Sequence, residues 1–248
     1  MPKPDFIIVG FQKCGTTAIK HILNNHFNDQ TYIPNCIHAD CPNSSEIDFF
    51  TPFSKTSKKS IEWYESLFKE NVINGDKSPS YTVNSKYSAQ KIFEYKPDMK
   101  LIFTIRDPVK RAISAYNHYC QIYPISKKYG SWNIDKSFAW NINNTNVFTL
   151  QGKYIQHIEA YLKFFDRKQI LFIIQERLRN KDLYQQQWNR ICNFLGIQLK
   201  QIPQEFHHGR KKTVDISQKD IELLKDYYQD YNKKLFEFLG TDIPGWVK

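Results

Sequence analysis

Three sets of residues in this chain have the types and spacing of a reactive centre. The first is Lys13, Thr16 and Thr17, set around the glycines Gly10 and Gly15. A lysine, two hydroxyls and backbone N–H groups entering a helix make an anion site, usually for a phosphate. Gly10 and Gly15 have the separation of the ATP-binding pattern G-x-x-x-x-G-K-[ST]. The residue after Gly15, however, is Thr16, and the lysine sits inside the loop at Lys13. Thr17 falls where a hydroxyl would meet magnesium, and it suits a phosphate oxygen equally well. The second set is Arg106 and Ser114. Arg106 offers a planar fork to a phosphate, where an ATPase would more often end its strand in a metal-holding aspartate. The third set is Glu46, Asp76, Lys77 and His118. Glu46 precedes Phe49 and Phe50. It is either a general base whose pKa apolar neighbours raise, or a solvated loop carboxylate anchored by two core phenylalanines. Ser114 and His118 are four apart and share a helix face.

These side chains need elements to hold them. Residues 6–9 form an unbroken apolar run, as expected of a strand covered on both faces. Ile19, Ile22, Leu23 and His26 then recur at helical spacing. Residues 27–60 read as a long loop. A short helix follows over 61–69, and then a strand over 72–74. Gly75 and Pro79 mark a turn at that strand's carboxyl end, which places Asp76 and Lys77 to reach a ligand or to form an ordinary surface ion pair. The spacing predicts a helix over 85–95, a strand over 101–105, and a helix over 109–123 with Pro108 at its first position. Residues 124–151 read as a second long polar stretch. A helix over 152–165, a strand over 170–174 and a helix over 182–195 stopped by Gly196 complete the alternation. A basic, glycine-broken loop at 206–212 either closes over a phosphorylated ligand or is a solvated turn. Ser217 starts a last helix that runs to about residue 239. The βα alternation predicts one α/β domain over 1–248: a three-layer, P-loop-like fold with a central parallel sheet flanked by helices.

The bulk properties narrow the partners. A net charge of +10 suits a polyanionic or phosphorylated ligand, and equally suits plain solubility. There is no dense basic block and no usual nucleic-acid motif, so no nucleic acid polymer is expected. No segment approaches the ~20 apolar residues of a membrane helix. The opening MPKPDF enters the first strand at once, which leaves no room for a signal peptide. The five cysteines are odd in number and irregularly spaced, as for free thiols in a reducing cytosol, and the expectation is a cytoplasmic protein. Cys36 and Cys41 flank His38 and Asp40, but that spacing fits no standard zinc site, and no metal is expected.

At this point the motifs resemble a known family. Lys13-Cys14-Gly15-Thr16-Thr17 after a strand is similar to the 5′-phosphosulfate loop of sulfotransferases that use 3′-phosphoadenosine 5′-phosphosulfate (PAPS). Arg106-Asp107-Pro108-Val109-x-Arg111-Ala112-x-Ser114-x-Tyr116 resembles their 3′-phosphate motif. Glu46-x-x-Phe49-Phe50, the run from Gly75 to Tyr81, Gln175-Glu176-Arg177-Leu178, Phe194-Leu195-Gly196, Gly209-Arg210 and the run from Tyr231 to Phe236 fall in the order seen in heparan sulfate sulfotransferases. The N-sulfotransferase and glucosaminyl 3-O-sulfotransferase branch is the most similar. Gln12 stands where that loop often has arginine.

The resemblance implies PAPS as donor and its desulfated product PAP, with no metal required. It implies that Gln12, Lys13, Cys14, Gly15, Thr16 and Thr17 line the 5′-phosphate, with Lys13 also on the bridging oxygen. Arg106 and Ser114 would hold the 3′-phosphate, and Gly209 and Arg210 would close over the nucleotide. Glu46 would be the base that takes the acceptor proton, Lys77 would sit near the transferred sulfuryl group, and His118 is the rival base. The acceptor would be a saccharide or a small natural product, sulfated on a hydroxyl or amine. The alternative is a P-loop kinase acting on a small molecule.

Overall fold

The computed structural model describes residues 1–35, 46–122, 137–144, 148–204 and 215–248. They form two compact units. The first contains residues 1–105 and 159–207, and the second contains 106–158 and 208–248.

The first unit is built on a five-stranded sheet. Its strands are β1 (Phe6–Gly10), β2 (Thr31–Tyr32), β3 (Ile73–Lys77), β4 (Lys100–Ile105) and β5 (Ile170–Ile174). Their order is β2-β3-β1-β4-β5, and every pairing is parallel. β1 and β4 are almost wholly buried and mainly aliphatic and aromatic, as a parallel sheet covered on both faces requires. Helix α1 (Thr16–His26) packs Ile19, Ile22 and Leu23 onto Phe6, Ile8 and Ile102. Tyr184, Trp188, Ile191 and Leu195 of α8 (Lys181–Leu195) join the same core. Elsewhere in the unit the ring of Phe103 lies against Phe11, Tyr161 and Phe172. The unit also holds helices α2 (Ile61–Glu65), α3 (Ser85–Tyr95) and α7 (Gln175–Arg179), and α6 (Tyr154–Leu162) precedes β5 in the chain.

The sheet order defines a topological switch point. β1 is central, with β3 and β2 on one side and β4 and β5 on the other. The strand order therefore reverses at β1, and its carboxyl end is the topological switch point where open α/β sheets bind ligands. The loop carrying Lys13 starts there.

In the second unit, α4 (Pro108–Ile122) presents Val109, Ala112, Ala115 and Tyr116 to Leu224 and Tyr228 of α9 (Gln218–Leu239). Phe138 and Ile142 of α5 (Phe138–Asn144) and Phe148 fill the same core. Ser217 caps α9 by accepting from the Asp220 N–H, as the capping pattern predicts.

Several segments differ from the sequence reading, among them α7, a helix between the predicted strand over 170–174 and the predicted helix over 182–195. The predicted long loop over 27–60 contains the short strand β2, and the predicted polar stretch over 124–151 contains α5. β3 does not stop at Asn74 but runs on to Lys77. Gly75, Asp76 and Lys77 have the composition of a turn, yet tertiary partners for their polar groups keep them in the sheet. Gly75 has a second reason to be glycine: a Cβ there would lie 2.3 Å from the Phe6 ring.

Candidate active site

The loop from Phe11 to Gly15 leaves β1 and enters α1. The Phe11 N–H donates to the Thr104 carbonyl at 2.8 Å, so the loop starts anchored to the neighbouring strand. Cys14 is buried, and its N–H turns back to the Phe11 carbonyl at 3.2 Å. Gly15 is the N-cap of α1 and has φ +89°, a left-handed conformation that favours glycine. Lys13 also has positive φ, at +67°. A lysine in the left-handed region is strained by about 1–2 kcal/mol, and such strain collects at ligand sites. The α1 first turn holds no acidic side chain, so its orphan N–H groups face no competing anion on their own helix. Thr16 is buried and Thr17 exposed, while Gln12 and Lys13 are half-buried. A lysine, two threonines and a helix N-terminus fit a doubly charged phosphate ester.

Beside this loop stands a carboxylate–lysine pair. Lys77 ends β3, in register with Ile8 of β1. Its side chain is 0% exposed, and its Nζ donates to Glu46 Oε1 at 2.9 Å. The Glu46 side chain is 30% exposed, so the pair has a buried cation and a carboxylate that meets solvent.

The segment bearing Glu46 is pinned from several directions. The Ser78 hydroxyl accepts the N–H groups of Ile47 and Asp48 at 3.1 and 2.9 Å. The Thr56 hydroxyl donates to the Ile47 carbonyl at 2.6 Å. Asp48 takes a left-handed conformation, φ +58°, and its carboxylate accepts from the Ser80 hydroxyl. Burial pushes the Asp48 carboxyl up to about 7, Glu46 adds to the rise, and the Ser80 hydroxyl opposes it.

Asp76 requires a correction. The sequence reading lets it reach a ligand, but it is fully buried. Its Oδ1 accepts from Ser78 at 2.6 Å, and its Oδ2 accepts from Tyr81 and Tyr64 at 2.7 and 3.0 Å. Burial raises the Asp76 carboxyl above its ordinary value, and the three hydroxyls pull it back. Both tyrosines are pushed well up by their own burial and by Asp76.

Arg106, Ser114 and His118 belong to the second unit. Arg106 follows β4 directly in the chain, and its carbonyl accepts from the Tyr154 hydroxyl at 2.7 Å. Asp107 caps α4, taking the N–H groups of Val109 and Lys110 at 2.8 and 3.1 Å. Ser114 and His118 lie half-buried on α4, with the His118 ring edge-on to Tyr119. Gly209 and Arg210 lie outside the described residues, as do Cys36, His38, Asp40 and Cys41.

Of the predicted site residues, the structure joins Lys77 to Glu46 directly and sets the Lys13 loop on the adjacent strand. The sequence reading leaves Ser78, Ser80 and Asp48 without roles. The one signal for Asp48 is its position two residues from Glu46 and directly before Phe49 and Phe50.

Known proteins match this chain along nearly its whole length. The sulfotransferase domain family matches residues 3–241. Mouse heparan sulfate glucosamine 3-O-sulfotransferase 3A1 is 26% identical over 270 residues, which cover 98% of this chain and 64% of that protein. Mouse bifunctional heparan sulfate N-deacetylase/N-sulfotransferase 4 is 27% identical over 284 residues, covering 99% of this chain and 31% of that protein. The chain thus spans less than two thirds of either relative. Among solved structures, a sulfotransferase from Alicyclobacillus acidocaldarius superposes with a TM-score of 0.76 at 22% identity, covering 100% of both chains. The sulfotransferase domain from the curacin biosynthetic pathway gives 0.58 at 15% identity, over 98% of this chain and 100% of that one. At those identities the two structures speak to the fold alone.

Proposed function

The chain belongs to the sulfotransferase domain family, and on that premise we propose that it moves the sulfuryl group of PAPS to a hydroxyl or amine of a saccharide. The observation that carries the proposal is the adjacency of two features on neighbouring strands: the Lys13–Thr17 phosphate loop after β1, and the Lys77–Glu46 pair at the end of β3.

Each residue has a chemical task in this reading. The loop N–H groups and the hydroxyls of Thr16 and Thr17 bind the 5′-phosphate, with Gln12, Cys14 and Gly15 shaping the loop. Lys13 stabilises the charge that grows on that phosphate as its bond to sulfur breaks. Arg106 and Ser114 take the 3′-phosphate. Glu46 accepts the acceptor's proton as the new bond to sulfur forms. Lys77, itself buried, holds the Glu46 carboxylate near the transferred sulfuryl group, and His118 is the alternative base. A sulfuryl group in flight carries less charge than a phosphoryl group. Lysines and backbone N–H groups therefore suffice in this mechanism, without a metal.

Two of the matched proteins are named for action on heparan sulfate, and a chain with a net charge of +10 suits an anionic saccharide. The loop alone also suits a small-molecule kinase, but a sulfotransferase family match over residues 3–241 disfavours that alternative.

The deciding experiment is transfer from sulfur-labelled PAPS to a panel of heparan oligosaccharides, monosaccharide glycosides and small alcohols and amines. Each product is read by the mass gain of one sulfuryl group. Labelled saccharide is the expected result. Label only on small non-sugar acceptors would overturn the saccharide assignment. Phosphoryl transfer from magnesium ATP, with PAPS left intact, would overturn the reaction.

A further inference from the structure

The turn after β3 has a hydrogen-bond polarity that the proposed reaction leaves unexplained. A serine hydroxyl has one hydrogen to give and two lone pairs to receive. Ser78 gives its hydrogen to Asp76 Oδ1 at 2.6 Å. Both lone pairs are thereby left for N–H groups, and they receive Ile47 and Asp48 at 3.1 and 2.9 Å. The direction is set by Asp76, which also accepts the hydroxyls of Tyr64 and Tyr81 and has no hydrogen to offer while ionised. Ser78 and Asp76 are both fully buried, so water does not compete for these groups.

The two N–H groups held by Ser78 are the next two in the chain after Glu46. They fix the backbone from which its side chain reaches Lys77. The contact is long-range, since Ile47 and Ser78 are 31 residues apart. The β1–β3 register is set separately, by the pairing from Phe6↔Gly75 to Ile8↔Lys77.

We propose that Ser78, oriented by Asp76, is a positioning residue for sulfuryl transfer: its hydroxyl sets the backbone of Ile47 and Asp48 and so aims the Glu46 carboxylate at the acceptor. The proposal rests on Glu46 being the base. Asp76 and Ser78 touch neither donor nor acceptor. They act through the segment that carries Glu46, and Lys77 holds the carboxylate from the side chain while Ser78 holds it from the main chain.

The test uses the full chain with PAP bound, and a heparan hexasaccharide with PAPS as the transfer probe. In Ser78→Ala the amide hydrogens of Ile47 and Asp48 exchange at least about tenfold faster, with exchange in β1 and β4 unchanged. Transfer falls by roughly 10²-fold in kcat, because small displacements of a reacting group have that effect. PAP affinity and acceptor KM stay the same. Ser78→Thr, which keeps the hydroxyl, restores both exchange and kcat. Ser78→Cys, with similar bulk and a weaker acceptor, gives an intermediate result and stands in if the alanine variant does not fold.

A double variant separates the relay from the base. If Ser78 works through Glu46, Ser78→Ala lowers transfer by less than about twofold further in a Glu46→Gln background. Unchanged exchange at Ile47 and Asp48 in Ser78→Ala would sink the relay. So would an equal loss of transfer with and without Glu46. Normal transfer by Glu46→Gln alone would instead remove the base assignment, and the aiming role of Ser78 with it, even if the exchange result held.

Discussion

The fully buried ammonium of Lys77 donates to the part-exposed carboxylate of Glu46 at 2.9 Å. The asymmetry matters. A buried lysine needs a counter-charge, whereas a carboxylate that meets solvent can also meet a substrate. Glu46→Gln keeps the size and an acceptor oxygen for Lys77, but removes the charge and the basicity. Transfer should fall by roughly 10²–10³-fold, while PAP affinity, read by calorimetry, stays unchanged. The melting temperature should also drop, by the equivalent of about 1–3 kcal/mol for a weakened bond to a buried charge. Near-normal turnover in this variant would take the base role away from Glu46.

Asp48 gives a pH signature of its own. Its carboxyl is pushed up to about 7 by burial and by Glu46, from an ordinary 3.8. Below about pH 4 the folded and unfolded chains both hold this proton. Between about pH 4 and 7 the folded chain holds it and the unfolded chain has released it, so rising pH costs stability. Above about pH 7 both are ionised and the penalty is constant. Asp48→Asn cannot titrate, and asparagine tolerates the left-handed backbone at this position. Its stability advantage over the parent should therefore grow from pH 4 to pH 7 and then level off. For a half-buried group the gain is on the order of 2 kcal/mol. A stability difference that stays flat across that window would show that Asp48 titrates normally.

How much of this could be read without coordinates depends on where each signal lives. β1, β4 and β5 are legible because a strand buried on both faces is apolar along most of its length. The Lys13 loop is legible because glycines bracket it, and Gly15 does take the left-handed N-cap that a glycine permits. The last residues of β3 are not legible, because Asp76 and Lys77 read as turn residues until their partners are known. Beside the nearby Ser78 and Tyr81, those partners come from elsewhere in the chain: Tyr64 for Asp76, and Glu46 for Lys77. Asp48 is hidden for the same reason. Its chemistry comes from burial and from Ser80, 32 residues on, and its place two residues from Glu46 encodes only part of that. The chemistry-bearing residue types could thus be picked out, while the contacts that hold them in place required the tertiary fold.

Gly15 tests the loop through its backbone. At φ +89°, an added Cβ is strained, and it would lie 3.1 Å from Gln175 Nε2. The glutamine side chain can yield, but the backbone conformation cannot be made comfortable for alanine. Gly15→Ala should lose about 1–2 kcal/mol of stability and bind PAP more weakly, because relaxation of the cap turns the first N–H groups of α1 away from the phosphate. A lowered melting temperature with undiminished PAP affinity would mean that those N–H groups are not the donor's ligands.

Lys13 allows charge and strain to be separated at one position. Its φ of +67° disfavours any residue with a Cβ. Lys13→Ala removes the cation and keeps the strain, whereas Lys13→Gly removes both. The two variants should lose PAP affinity and transfer to the same extent, since each lacks the ammonium group that neutralises the 5′-phosphate. They should differ in stability, with the glycine variant the more stable by about 1 kcal/mol once its greater unfolded-state freedom is counted. Paired thermal melts and PAP calorimetry measure both quantities. If the glycine variant binds PAP as the parent does, the loop's cation has no part in holding the donor. If alanine and glycine melt together, the left-handed backbone at Lys13 is not a source of strain. The pair of measurements therefore judges the chemistry and the conformation of this residue independently.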